Sequence, residues 1–416
     1  MKPNIDEPPG STALRTTQKA TVKSNFKKSN LPNQSHFHNY FSREINFLLL
    51  SILLFAVALG INLVTFPTIL TERGVSSSLI GIAFTAEILG SILMSFFLGK
   101  FVSKFDAMKS LRFAAFGYAA ATTLIYFYQS FFLWIVFAIF MGHCWFTFVI
   151  IRQSWLNILL SNEKRGVALG IFSLAISTGL ALGPVIVRFS GASSYFSFLI
   201  SASLVIASLL CLRPLRHSAR PQIESKRIPL KDFFKKNPRC FLARFFLDFQ
   251  TYLLLTFTVV FGRMIGLSYE AAGLLISAFT ASGFFDVYVG FLLKKTSPYR
   301  LINIGFFVCM YSFVFIILYH ESYALLLLSY FIFGFGIACI YVSVFKITNE
   351  DYAKENLVAA NSTFQIIGSL GSLCGSFFGG YLVGIFGDQG FPIAMVLSCS
   401  AYLAFVTFRN KTLNQA

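Results

Sequence analysis

Long, unbroken runs of apolar residues fill the chain from residue 46 onward, and they constrain its fold more than any other feature. An α-helix needs about 20 mostly apolar residues to cross the roughly 30 Å of hydrocarbon in a bilayer. Twelve runs meet this length, although shorter ones lie at its lower limit. The predicted spans are 46–69, 78–98, 111–128, 130–151, 167–188, 194–212, 241–261, 271–293, 301–319, 323–345, 358–384 and 390–408.

These runs predict an all-α membrane protein. Of the 416 residues, 56% are hydrophobic and only 12% are charged, which is more apolar surface than one soluble core can bury. A membrane β-barrel would instead show segments of about ten residues with alternating polarity. The net charge of +17 would indicate nucleic acid in a soluble protein, but here the basic residues lie between the apolar runs. We therefore expect the lipid bilayer as partner and no nucleic acid.

The distribution of Lys and Arg between the spans predicts the orientation of the chain. Basic residues in short loops are retained on the cytoplasmic side of a membrane. On the side of the two chain ends lie 30 of the 34 Lys and Arg residues. The other side holds Arg73, Arg188 and Arg263, and Arg244 lies within a span. Both termini are therefore expected in the cytoplasm.

The order of the spans predicts two six-helix bundles joined by a basic connector. Residues 1–45 are polar and rich in Lys, without the apolar region of a signal peptide, so they are expected to form a disordered cytoplasmic tail. The basic stretch 213–240 contains four prolines and divides the spans six and six. The predicted bundles are 46–212 and 241–408, and residues 409–416 are a second cytoplasmic tail.

Small residues indicate that the second bundle repeats the first. Gly99, at the end of span 2, corresponds to Gly290, which stands 191 positions later at the end of span 8. The sequence GLALG in span 5 corresponds to GSLCG in span 11 at an offset of 192. Such repeats are common in secondary transporters, and glycines four apart let helices approach closely. Helix packing at the junction between the bundles is predicted for Gly179, Gly183, Gly371 and Gly375.

Motifs at the ends of several spans resemble those of the major facilitator superfamily. The sequence QSWLN at 153–157 is similar to the ESWLN that ends helix 4 in one bacterial branch, and RGVALG follows it at 165–170. In span 11, AAN at 359–361 and GSL at 371–373 are similar to the same branch. The resemblance covers residues 46–408. It implies two pseudo-symmetric bundles in a bacterial inner membrane that move a small solute by alternating access.

The chain also departs from the family's patterns. In the loop motif that begins at Gly99, Ser103 stands where Asp is usual and Asp106 where Gly is usual, and on span 4 Ala138 replaces a frequent Arg. The resemblance implies that the loop's Asp latches the cytoplasmic gate, so this chain is expected to hold its closed state by other contacts. The candidate gating residues are Gly99, Lys104, Asp106, Gly290 and Lys294.

Ionisable side chains within the spans are the first candidates for function, because each costs about 2.5 to 3.5 kcal/mol to insert. Glu87, near the middle of span 2, either carries a proton or bonds a neighbouring helix, since burial favours a neutral carboxyl. Arg244 and Asp248 stand four apart on span 7, and Asp286 on span 8 is expected at the same depth. These three form a structural brace of the inner gate or a relay for protons or substrate, unless Arg244 reaches the headgroups independently.

Uncharged polar side chains on spans that line the family's central cavity are candidates for contact with a substrate. His143 on span 4 can accept a proton, bond a substrate or bond a neighbouring helix. The others are expected to bridge helices more often than to contact a substrate. They are Asn62 and Thr65 on span 1, Gln250 and Tyr252 on span 7, Tyr341 on span 10 and Gln365 on span 11.

Several function classes lack their sequence signature. The seven Cys are scattered without a C-x-x-C pair, so they are interpreted as small apolar residues and not as metal ligands. The chain has no GxxxxGK[ST] motif for a nucleotide and no nucleophile elbow of a hydrolase. We therefore predict no cofactor, no metal, no nucleotide and no enzymatic activity.

The predicted function is secondary active transport of a small organic solute, with the proton as coupling ion. Export of an amphipathic compound, such as a drug or a siderophore, is preferred slightly to uptake of a nutrient. Aromatic cavity walls with few charges would favour export, whereas a well-paired charged site would favour uptake. A membrane receptor that keeps the fold without transporting is the alternative from another class, and the altered gate motifs support it.

Overall fold

The computed structural model describes five ranges of the chain, and most residues in them are helical. Within these ranges the chain forms fourteen α-helices and no strand, which confirms the predicted all-α class. Most of the predicted N-terminal tail and the middle of the predicted connector lie outside the described residues. The described ranges are 42–128, 130–159, 165–217, 228–352 and 357–415.

The helices follow the apolar runs, with one interruption. The first half comprises α1 (Arg43–Glu72), α2 (Ser77–Phe105), α3 (Ala107–Phe127), α4 (Phe131–Leu159), α5 (Arg165–Ser190) and α6 (Tyr195–Leu210). The second half comprises α7 (Leu230–Lys236), α8 (Pro238–Met264), α9 (Tyr269–Ala281), α10 (Phe285–Leu292), α11 (Pro298–Tyr319), α12 (Tyr323–Asp351), α13 (Leu357–Phe386) and α14 (Gly390–Gln415). A 3-10 turn at Ser282–Phe284 divides the predicted span 8 into α9 and α10.

Ten segments of the described chain are long and apolar enough to cross a membrane, so the predicted count of twelve is not exact by this measure. One difference is α3, whose hydropathy is lowered by Lys109 and Arg112 near its start and by its Ser, Gly, Tyr and Thr residues. The other is the continuous apolar segment 359–408, which contains both α13 and α14 separated only by a short turn. The chain is a multi-pass membrane protein on either count.

Contacts between helix ends define two faces of the molecule. On one face Arg73 donates to the carbonyls of Tyr126 and Tyr128, at 2.6 and 2.7 Å. On the other face the Asn237 amide donates to the Tyr299 hydroxyl at 2.7 Å and to the Asp351 carboxylate at 2.9 Å. We call the face of Asn237 the basic face, because the loops rich in Lys and Arg belong to it, and the face of Arg73 the opposite face.

The four glycines predicted to pack helices lie inside the halves and not at the junction between them. A Cβ atom on Gly179 would lie 2.7 Å from the Leu53 carbonyl oxygen, and Gly183 faces the same helix, α1. Gly371 and Gly375 meet carbonyl groups of α8 in the same way. The predicted location at the junction is therefore wrong. Each half instead repeats one contact, in which its fifth long helix packs closely on its first.

Other small residues form the junction between the halves, where α2 packs on α13 and α5 packs on α9. A Cβ atom on Gly81 would lie 3.1 Å from the Gly380 Cα, and the Ser78 hydroxyl donates to the Gly380 carbonyl at 3.2 Å. On the other side, the Ser277 hydroxyl donates to the Ala181 carbonyl at 2.7 Å. Close backbone contacts between small residues and hydrogen bonds thus contribute to holding the halves together.

The turn between α2 and α3 consists of Asp106 alone, and it explains why the family has Gly there. Asp106 has φ +68°, and no other non-glycine residue in the described ranges has a positive φ. Its backbone N–H donates to the Val102 carbonyl at the end of α2, and its carboxylate accepts from the Ala107 N–H at 2.9 Å. The cap compensates for a conformation that L residues adopt at a cost of about 1–2 kcal/mol.

Two substitutions at this turn should separate the cap from the strain. Asp106→Ala loses the cap and keeps the strained φ, so we expect it to lower the stability by about 1 kcal/mol. Asp106→Gly also loses the cap but removes a strain of about 1–2 kcal/mol, so its stability should equal or exceed that of the wild type. Thermal unfolding in detergent measures both, and equal destabilisation by Ala and Gly would contradict this account.

Candidate functional site

An ion pair on α8 is the centre of a polar cluster in the second half. The Arg244 Nη2 lies 2.6 Å from the Asp248 Oδ2, one helical turn away, and the two side chains are only 7% and 15% exposed. Arg244 also donates from Nε to the Phe364 carbonyl at 3.3 Å and from Nη2 to the Gln365 Oε1 at 3.1 Å. The pair therefore bridges α8 and α13.

Aromatic rings from α12 and α13 surround this pair. The Arg244 guanidinium lies 4.4 Å from the ring centroid of Phe364 and 5.9 Å from that of Tyr341. Tyr341 stacks on Phe345, which makes an edge contact with Phe364. We call Tyr341, Phe345 and Phe364 the aromatic wall. Such rings stabilise a desolvated guanidinium by about 2 kcal/mol.

Asp286 does not join the ion pair but bonds the other half of the molecule. Its carboxylate accepts a hydrogen bond from Ser173 on α5, across the junction between the halves. The 3-10 turn just before Asp286 also lies against α5. A Cβ atom on Gly283 in this turn would lie only 2.5 Å from the Cβ of Ser177. Tyr341 interacts electrostatically with Arg244, with Asp248 and with Asp286. Arg244, Asp248 and Asp286 were predicted to lie at one depth. They share Tyr341 as a neighbour, but Asp286 does not contact the ion pair.

Glu87 faces a small apolar pocket in the first half. Within the described ranges no basic side chain lies at ion-pair distance from it, and Ala138, where the family often has Arg, lines the same pocket. The pocket has room for about one water molecule. Tyr252 on α8 lies within electrostatic reach of both Glu87 and Asp248. The lining residues are Phe66, Leu70, Ala83, Phe84, Glu87, Ile125, Trp134, Ala138 and Met141.

Asn62 and Gln250 are buried and bridge helices within their own half. The Asn62 amide donates to the Tyr118 hydroxyl at 3.0 Å and accepts from the Ser201 hydroxyl at 2.8 Å. The Gln250 amide donates to Ser398 and Cys399 on α14, both at 3.1 Å. These contacts favour the bridging interpretation for both residues. Tyr252, Tyr341 and Gln365 differ from them, because they lie beside the ion pair.

A comparison of two residues on α1 tests this interpretation. Asn62→Ala should cost about 1–3 kcal/mol, because it leaves the Tyr118 and Ser201 hydroxyls without their amide partner. Thr65 is the control, since its buried hydroxyl has no hydrogen-bond partner among the described residues and Thr65→Val should be neutral or stabilising. Thermal unfolding gives the stabilities. If Asn62→Ala instead left stability intact and removed binding of a transported compound, Asn62 would belong to the substrate site.

His143 and the predicted gating residues have local contacts. The His143 Nδ1 donates to the Ile139 carbonyl at 2.7 Å. Lys104 and Lys294 lie over the rings of Phe105 and Phe291, at 5.4 and 5.2 Å from the centroids, and neither forms an ion pair in the described part of the chain. A functional role for these residues, as for Gly99 and Gly290, stays a prediction.

Arg152 is a buried cation that the sequence analysis counted with a loop. It is 2% exposed and lies in α4, which continues to Leu159, well beyond the predicted end of span 4. Its Nη2 donates to the Ser208 hydroxyl at 3.0 Å, and its guanidinium lies 4.9 and 4.5 Å from the rings of Phe55 and Phe148. The sequence contains one indication of this burial: Phe148 lies one turn before Arg152 on the same face of α4, where its ring can pack on the guanidinium.

The arrangement offers proton chemistry and recognition of charge. Glu87 on α2 and Asp248 on α8 lie on helices that contact each other across the two halves, Asp286 on α10 bonds Ser173 of the other half, and Arg244 is paired with Asp248. No group of three His, Cys, Asp or Glu residues suited to a metal ion occurs in the described ranges.

Comparison with known proteins gives agreeing results. A family model described as Major Facilitator Superfamily matches residues 48–372 and 241–412. The multi-drug resistance efflux pump PmrA of Streptococcus pneumoniae is 23% identical over 293 residues, which are 66% of this chain and 73% of that protein.

Two solved structures share the fold. The nucleoside transporter NupG superposes with a TM-score of 0.73 at 16% identity, over 88% of this chain and 99% of that one. A bacterial homologue of the human lysosomal transporter Spinster, inward-facing and occupied, superposes with a TM-score of 0.69 at 15% identity, over 88% of this chain and 94% of that one.

Proposed function

The chain belongs to the major facilitator superfamily, whose members are transporters of small molecules and not enzymes, and on that premise we propose that it is a proton-coupled exporter of amphipathic compounds. The proposal includes a bacterial inner membrane with the basic face in the cytoplasm. It makes the two halves alternate between two arrangements about a site near the middle of the membrane.

The observation that carries the proton coupling is the placement of Glu87 and Asp286. Both carboxyls lie within membrane spans, and neither has a basic partner at ion-pair distance among the described residues. A carboxyl without a counterion in apolar surroundings readily exchanges its proton, so it can follow a proton gradient. A proton that crosses 100 mV gains about 2.3 kcal/mol, enough to move a solute about fiftyfold uphill.

Asp286 also connects the proton to the movement of the halves. An ionised carboxylate accepts a hydrogen bond about twice as strong as that to a neutral group. The bond from Ser173 across the junction is therefore stronger when Asp286 is ionised and weaker when it is protonated. Proton binding at Asp286 would thus favour separation of α5 from α10.

Similarity to the efflux pump PmrA supports export, and the aromatic wall supports an amphipathic substrate. The Arg244–Asp248 pair favours a second candidate, uptake of a charged nutrient, because a well-paired charged site recognises a polar solute. A receptor without transport activity has the same fold, so only flux distinguishes it from a transporter.

Flux through purified, reconstituted protein tests the proposal. Proteoliposomes are loaded with ethidium, an aromatic cation, or with naphthalenesulfonate, an aromatic anion, and a pH gradient is imposed. We expect at least one probe to move faster than in protein-free liposomes, and its flux to follow the direction of the gradient. Flux that ignores the gradient would refute the proton coupling, and equal rates with and without protein would favour the receptor.

A further inference from the structure

We propose that the Arg244–Asp248 pair selects the substrate by charge: Arg244 binds the anionic group of an aromatic, amphipathic solute once Asp248 has taken up a proton. The inference rests on the proposed function. It adds the class of solute and the residue at which proton and solute meet.

The donors of Arg244 leave one side of the guanidinium available. Nε and Nη2 bond the Phe364 carbonyl, the Gln365 amide and the Asp248 Oδ2. Nη1 makes none of the hydrogen bonds of the described residues, and it is not among the fully buried polar atoms without a partner. The same holds for the Asp248 Oδ1. The side chains of Arg244 and Asp248 keep 7% and 15% of their surface exposed, and Arg244 bonds Gln365, which is itself exposed.

The charges of the two partners respond differently to a proton. The guanidinium of Arg244 keeps its charge at all relevant pH values, whereas Asp248 becomes neutral when protonated. The proton binds a carboxylate oxygen of Asp248, the charge-assisted bond from Nη2 becomes weak, and Arg244 is left as a desolvated cation without an anion. Because an unpaired buried charge is unfavourable, an anionic group of the solute then replaces the carboxylate of Asp248.

The neighbouring ionisable groups act in the same direction. On α8 itself, Asp248 faces Arg244 and Tyr252, and Tyr252 also interacts electrostatically with Glu87 on α2. On α12, Asp248 faces Tyr341, which also interacts electrostatically with Asp286 on α10. Ionised Glu87 or Asp286 would repel an anion from Arg244. Acidification neutralises these carboxyls together with Asp248, so every titrating group near the pair favours the anion at lower pH.

The aromatic wall accounts for the apolar part of the solute. Tyr341 and Phe345 are half-buried and stacked, and they lie next to Phe364, over which the guanidinium is placed. A flat apolar ring can pack against Tyr341 while its oxyanion reaches Nη1. A small hydrophilic anion has no group for this wall, and a cation finds only a carboxylate that already has a partner.

Binding of naphthalenesulfonate to the purified full-length protein tests the inference, because a sulfonate stays ionised at every pH used. Naphthalenesulfonamide, a neutral compound of the same shape, is the ligand control. Thermal shift titrations at mildly acidic and mildly alkaline pH report the affinity. We expect the sulfonate to bind about tenfold more tightly at acidic pH, and the sulfonamide to show no such change.

Variants of the pair define the residues responsible. Asp248→Asn imitates the protonated carboxyl, so it should remove most of the pH dependence and bring the affinity at alkaline pH close to the acidic value. The double variant Arg244→Gln, Asp248→Asn contains no unpaired charge and is expected to fold, yet it should lose at least about tenfold in affinity for the sulfonate. Arg263→Gln is the matched control, because it removes one cation from the other end of the same helix, where Arg263 bonds the Leu267 carbonyl.

Three results would overturn the inference: equal binding of sulfonate and sulfonamide, a pH dependence that persists undiminished in Asp248→Asn, or full affinity in the double variant. The flux assay separates this failure from that of the proposed function. Proton-driven flux of ethidium without binding of the sulfonate would leave a transporter with another substrate class. Binding with the expected variant pattern but without any flux would leave the anion site and remove the transport proposal.

Discussion

Proteoliposomes that contain the double variant Glu87→Gln, Asp286→Asn are expected to lose most of the pH-driven accumulation of a transported probe. For the wild type, a gradient equivalent to 100 mV supports about fiftyfold accumulation, and the double variant, in which Asp248 is the carboxyl left within the site, should retain a small part of it. The reason is that both amides keep the shape of the side chain but cannot bind and release a proton. Each single variant should reduce the accumulation. Fluorescence of the probe in loaded vesicles measures the effect.

The matched control is the double variant Glu321→Gln, Asp388→Asn. It makes the same change of two charges, but in the turns of the opposite face, after α11 and after α13. Accumulation should stay at the wild-type level there. Protein yield and elution profile in detergent must be normal for both double variants, since the proposal concerns coupling and not insertion. Wild-type accumulation in the Glu87, Asp286 variant would exclude both residues as the coupling site.

Gly375→Leu is expected to be the most destabilising single substitution considered for the fold. Gly375 lies on α13 against α8, where a Cβ atom would lie 3.0 Å from the Cα of Phe249 and closer still to its carbonyl oxygen. Backbone cannot move aside as a flexible side chain can. Overpacking of this kind costs about 3 kcal/mol, and the separation of α13 from α8 would also disturb the contact of Arg244 with Gln365.

Gly290→Leu provides the comparison for this prediction. Gly290 lies on α10, and a Cβ atom there would meet nothing within 4 Å. The same change of residue should therefore alter the stability by less than about 0.5 kcal/mol. Thermal unfolding followed by size-exclusion chromatography in detergent compares the two variants. Similar midpoints for both would mean that α13 and α8 are not held at the distance described.

Hydropathy was sufficient to predict the helical class. Apolar runs long enough to cross a bilayer form helices, because a helix satisfies all of its backbone hydrogen bonds within the segment. Hydropathy could not find the break at Ser282–Phe284, since the residues on either side remain apolar. It also ended span 4 too early at Arg152. A charge usually marks the end of a span, but here Phe55 and Phe148 accommodate it inside the bundle.

Local spacing predicted side-chain contacts better than it predicted contacts between distant helices. Arg244 and Asp248 are four residues apart, and helix geometry alone brings them together. The partner of Asp286, Ser173, lies more than a hundred residues away on the other half, and no periodicity indicates it. For the same reason, the glycines of α5 and α13 were recognised as packing residues but assigned to the wrong neighbour.

The close packing of α5 on α1 has a consequence for synthesis of the protein. Roughly a hundred residues separate the end of α1 from the start of α5. At a translation rate of about 5–20 residues per second, α1 stays in the membrane for roughly 5–20 s before its main partner exists. Its Asn62 amide has neither of its partners until Tyr118 on α3 is synthesised, and Ser201 on α6 follows only after α5. The nascent helix therefore depends on the insertion machinery, or on lipid and water at its surface, to shelter a polar group that the finished protein buries.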